Sequence, residues 1–121
     1  MIGAKVSKFS IISREPELKH SVQVISDKHS EDLKGLYDHT YKNSGEDRVF
    51  DGNDLQSFTL LRFLPPKLMS YKGRALVIDP DVFLVKSGLT DLLNNNMNNA
   101  AIFSKKGMQK GDWVSSVMLL D

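Results

Sequence analysis

The chain has 121 residues, enough for one modest core, and its 40% apolar and 26% charged residues are those of an ordinary globular protein rather than a disordered or fibrous one. Sixteen basic against fifteen acidic residues leave a formal charge of +1, too even to make nucleic acid or an anionic surface the expected main partner. The lack of cysteine excludes disulfides, thiolate metal sites and a catalytic thiol, and a reducing cytoplasm is the expected compartment.

Taken in chain order, Ile2, Val6, Phe9 and Ile12 recur at spacings of three and four, which predicts a helix with one apolar face, stopped near Pro16. The same stretch lacks the apolar core of a secretory leader, and no run in the chain is long enough to span a bilayer. HSVQVIS predicts a short strand, SEDLKGLY a helical turn, and DHTYKNSGEDRVFDGND, rich in Gly, Asn and Asp, a surface loop. Asn53 or Asp54 can cap a helix over LQSFTLLRFL, with Leu55, Phe58 and Leu61 on one face, until Pro65 and Pro66 end it. Pro66 can open the next turn, KLMSYKG, which Gly73 closes. RALVID reads as a strand buried on both faces, GLTDLL as a helical turn, NNNMNN as a polar loop, and AAIFS and WVSSVMLL as two further strands. Strands alternating with helices predict an α/β fold over residues 1–121, a mostly parallel sheet flanked by helices in a single domain.

The stretch ALVIDPDVFLV places two acids inside an apolar run. Pro80 fixes its own backbone angle, has no amide hydrogen and cannot continue a central ladder, so the strand should end at Asp79. In extended chain, Asp79 and Asp81 would point the same way. Two carboxylates about 4 Å apart repel by about 4 kcal/mol at an effective dielectric of 20, so a shared proton, a basic side chain or a divalent cation must compensate. Mn²⁺ or Mg²⁺ suits the pair best, because such ions bind through one or two carboxylates and complete their shell with water and substrate phosphates. The simpler alternative is that Asp-Pro merely begins a turn.

Beyond this motif, FTLLRFLPPKLMSYKGRALVIDPDVFLV resembles the central block of nucleotide-sugar glycosyltransferases of the GT-A type, in particular the retaining enzymes related to glycogenin and to bacterial galactosyltransferases. Phe58, Arg62, Pro65, Leu68, Leu76, Asp79, Asp81 and Leu89 carry the match in order and spacing, and WVSSVMLLD is similar to the family's FNSGVMLIN strand beside the sugar pocket. The resemblance covers residues 55–121 and implies a Rossmann-like core, present as an incomplete copy without the first strand and the acceptor part. It implies a metal at Asp79 and Asp81 gripping the diphosphate of a donor, a UDP-sugar first, with Asp79 also facing the sugar or ribose. It further implies that Arg62 reaches the donor and that Ser115 and Ser116 lie at the sugar-facing strand, with Val114 where the family has Asn and Ser116 where it has Gly. A guanidinium can fork onto phosphate or sugar hydroxyls; read alone, Arg62 is a solvated helix arginine.

The family's third ligand, usually histidine, comes from a segment without a counterpart here, and His20, His29 and His39 lack ligand spacing. Lys105, Lys106 and Lys110 read as a solvated basic loop, Trp113 as core or interface, and Tyr71 and Phe83 as packing. Two other classes compete: a phosphohydrolase of the haloacid dehalogenase type, which Val82 and Phe83 fit poorly, and a non-catalytic domain that self-associates through an open strand edge.

Overall fold

The computed structural model describes residues 2–26, 31–51 and 57–121, with the side chains of Asp32, Asn43, Ser57 and Phe58 left out. Leu55, Asn53, Asp54 and His29, and the Phe58 side chain, lie outside the described residues. The chain forms two compact units, one of Met1–Val24 with Pro66–Asp121, the other of Ile25–Pro65.

The larger unit holds α1 (Ile2–Arg14), α3 (Pro65–Leu68, from its second residue onward), β3 (Ala75–Ile78), α4 (Leu89–Leu93), β4 (Ile102–Lys106) and β5 (Trp113–Leu120). Its sheet has the order β3-β5-β4, and both pairings are antiparallel. The expected mostly parallel, Rossmann-like sheet is therefore corrected. β3 and β4 do run in the same direction, since each opposes β5, but β5 lies between them and takes the hydrogen bonds that a parallel neighbour would have taken. The apolar run of β3 misled for a second reason: all its residues are half-buried, as suits a strand paired on one side only, and not sealed on both faces. α4, at five residues, is one turn, far short of a helix that covers a sheet.

The core of this unit is Leu93, Met97 and Leu119, with Leu18 and Leu76 packed against it. Met97, inside the Asn-rich run, is thus an anchor, while Asn98 and Asn99 take left-handed angles that let the chain turn beneath it. Arg74, just before β3, fastens three segments: Nη1 donates to the carbonyls of Leu93 at 3.1 Å and Asn95 at 2.6 Å, and Nη2 to Asp121 Oδ2 at 2.8 Å. That contact, chiefly its hydrogen bond, holds the Asp121 carboxyl below the usual carboxylate range and raises Arg74.

α1 forms where the spacing predicted it, with its apolar stripe facing outward. Its inward residues are Ser7 and Ile11, with Gly3, Ala4, Lys8 and Ser10 half-buried, whereas Ile2, Val6, Phe9 and Ile12 are exposed. HSVQVIS forms no strand; residues 21–26 run without a ladder.

The smaller unit contains α2 (Glu31–Lys34), a hairpin of β1 (Thr40–Asn43) and β2 (Glu46–Val49), and a 3₁₀ helix at Ser57–Phe63. The hairpin occupies part of the expected loop. Its two linking residues, Ser44 at φ 53° and Gly45 at φ 86°, both adopt the left-handed backbone that matches strand twist in a two-residue connection. Phe50 is buried beside it, stacked on Tyr37 with ring centroids 5.5 Å apart and met edge-on by Tyr41 at 6.5 Å.

Candidate functional site

β3 ends where Pro80 predicted. The Val82 amide donates to the Asp79 carbonyl at 3.1 Å, closing a four-residue turn with proline at its second position, where its fixed angle is already correct. The turn replaces the extended geometry expected to aim Asp79 and Asp81 at one point. Asp79 is 8% exposed and Asp81 is exposed, so the carboxylates stand in different surroundings, one sunk at the strand tip and one in solvent.

Two elements set the position of this turn. On one side the Asp79 amide donates to the Ser116 carbonyl at 2.9 Å, extending the β3–β5 ladder by one rung past Ile78 and Val117. On the other side lies α1. A β-carbon added to Gly3 would stand 2.7 Å from the Pro80 carbonyl oxygen, so only glycine lets the helix come this close. The chain after the turn then follows α1: Ser10 Oγ donates to the Ser7 carbonyl at 2.7 Å and accepts from the Leu84 amide at 2.9 Å, and Glu15 Oε1 accepts from the Gly88 and Leu89 amides at 2.5 and 2.8 Å. Glu15 thereby caps α4, which Gly88 cannot do for itself.

Sequence reasoning missed a feature of β5. Ser104 pairs with Met118, but the next residue, Lys105, pairs with Val114, so Ser115, Ser116 and Val117 are extra on the β5 side. Such bulges re-aim side chains and concentrate beside functional sites. This one sits at the residues opposite Asp79, with Ser115 exposed and Ser116 half-buried. No signal in one strand alone could have found it, because a bulge exists only relative to a partner's register.

The other predicted residues divide plainly. Arg62 lies half-buried on the 3₁₀ helix of the smaller unit. His39 belongs to that unit too, while His20 lines a pocket of about 260 Å³ at the end of α1 with Lys8 and Glu15. Trp113, expected as core or interface, and Tyr71 and Phe83, expected as packing, are exposed, and so are Lys105, Lys106 and Lys110.

Among the described residues no three His, Cys, Asp or Glu side chains gather as a cation cage. The turn itself supplies two carboxylates, one buried and one exposed, fewer than a resident structural ion requires. No family model, no curated protein and no solved structure matches the chain.

Proposed function

We propose that the chain binds a nucleotide-diphosphate sugar, a UDP-sugar first, as the donor-binding part of a metal-dependent glycosyltransferase. The observation that supports this reading best is the meeting of two separate sequence blocks. The Asp79-Pro80-Asp81 turn and the Ser115–Ser116 bulge resemble the family at positions 34 or more residues apart, and they are joined by the Asp79–Ser116 hydrogen bond. Asp79 and Asp81 would hold Mn²⁺ or Mg²⁺, which, when bound with the donor, acts as a Lewis acid on the departing diphosphate. Asp79, sunk at the strand tip, gives the site a fixed carboxylate, and Asp81 a solvated one. Ser115, exposed, and Ser116, half-buried, carry hydroxyls of the kind that hydrogen-bond a sugar, on the strand segment opposite Asp79. Arg62 is assigned to the donor by the sequence resemblance alone.

The test is thermal. Mn²⁺ with UDP should raise Tm, a ligand at a hundred times its Kd adding about 2.7 kcal/mol, and neither alone should do as much. The reading fails if no nucleoside diphosphate gives a metal-dependent shift, or if the shift survives Asp79→Asn combined with Asp81→Asn.

A further inference from the structure

We infer that the outer face of α1 is a docking surface for an anionic lipid bilayer, on which the helix lies without crossing. Ile2, Val6, Phe9 and Ile12 fall within roughly 120° of arc at 100° per residue, so they form one stripe along the helix. The stripe is turned outward: Ile2 is 81% and Phe9 70% exposed, and Val6 and Ile12 are exposed as well. The orientation is imposed from within. The inner face is small where Gly3 meets Pro80 and where Ser7 and Ser10 pack, and Ile11 alone of the helix's large apolar residues is buried there, which leaves Ile2, Val6, Phe9 and Ile12 outside.

A contiguous apolar stripe of this kind on a protein surface marks an interaction site. Charge selects the occupant. Lys5, Lys8 and Arg14 are the only ionised side chains between Ile2 and Arg14, so the helix carries +3 by this count of three cations and no anions, although the whole chain is nearly neutral. By the same helical spacing, Lys5 falls inside the apolar arc, on its Ile12 side, and Lys8 just beyond it. Long lysine stems cover apolar surface and carry their ammonium groups out to its margin, where lipid phosphates lie. A second copy of the helix would bring these cations against their like, and a helix of 13 residues offers too little surface for an interface near 800 Å² per partner, the order of magnitude for stable pairs. An anionic bilayer demands neither shape complementarity nor that area; it accepts apolar side chains into the headgroup boundary and draws in lysines. Beside the helix, Phe83 and Val85 add exposed apolar surface on either side of Leu84, whose amide is bonded to Ser10. Among the described residues no helix is long and apolar enough to cross a membrane, so the mode is surface attachment.

The experiment is co-sedimentation of the full chain with vesicles of phosphatidylcholine alone and of phosphatidylcholine mixed with phosphatidylserine. Binding is expected to the mixed vesicles, to weaken with salt, and to fall about tenfold for Phe9→Ser, equivalent to about 1.4 kcal/mol. Lys5→Glu should lower binding to the anionic vesicles, and circular dichroism should show both variants folded. The proposal is overturned if the chain ignores both vesicle types, if Phe9→Ser binds as well as the parent, or if sedimentation reveals a dimer that Phe9→Ser dissolves. The assay contains no nucleotide, so its failure leaves the donor-binding reading untouched, and the reverse holds too.

Discussion

The two ends of β3 are held in opposite ways. At its start, Arg74 ties the strand to the carbonyls of Leu93, the last residue of α4, and Asn95 just after it, and to Asp121, a set of directional bonds made by one side chain. At its end, the Asp79 turn is placed by backbone: one amide to Ser116, one closing bond to Val82, and the close approach of Gly3. The difference teaches where chemistry can reside. The first end is fastened by one charged side chain, while the second is positioned by main-chain atoms and by the shape of the approaching helix. In many proteins binding groups sit on loops that a rigid scaffold aims, and this turn has that character.

The comparison can be broken at its middle first. Leu119 is buried in the core opposite Leu76, and Leu119→Ala should cost about 2–5 kcal/mol and loosen both ends together, read as a lower urea midpoint. Gly3→Ala is expected to come next: the added carbon meets backbone, which cannot swing aside, and overpacking of this sort costs about 1–3 kcal/mol. It should also shrink the Mn²⁺–UDP shift, because it displaces the turn. Arg74→Ala should lower Tm and leave the nucleotide shift in place, the reverse signature.

A smaller effect separates the ends by pH. Because Arg74 lowers the Asp121 carboxyl in the folded chain, the pair stabilises above the ordinary carboxylate range, and its contribution disappears as pH falls through the lowered folded value. Both groups are solvent-accessible, so the loss is modest and weakened by salt, and Arg74→Ala should abolish this part of the acid dependence. Last, Asp81→Asn should change stability by no more than about 0.5 kcal/mol while removing the metal-dependent shift, as calorimetry can show.

Much of this could be read from the residues. β3, α4, β4 and β5 were announced by short apolar runs between Gly, Pro and Asn, and Pro80 fixed where β3 stops. What pairs with what could not be read, because the insertion of β5 between β3 and β4 depends on contacts distant in sequence. The spacing of Ile2, Val6 and Phe9 revealed the helix but not the direction of its apolar side, which follows from the close packing of the small residues at 3, 7 and 10. Polar composition hid the β1–β2 hairpin, whose specification lies in two backbone angles at Ser44 and Gly45. At the candidate site the strand end was legible, whereas the turn that Asp-Pro begins, there only the simpler alternative, replaced the extended geometry expected of Asp79 and Asp81 and set them in different surroundings.

The sheet's two margins differ in a way that bears on handling the protein. β4 presents Lys105 and Lys106 and is thrown out of register beside them, both of which discourage the addition of foreign strands. β3 carries Ala, Leu, Val and Ile with no charge or proline among them, and among the described residues it is paired on one side only. Sheet growth in crowded preparations should therefore be one-directional, starting from β3, and Val77→Lys should delay the onset of thioflavin-positive fibrils.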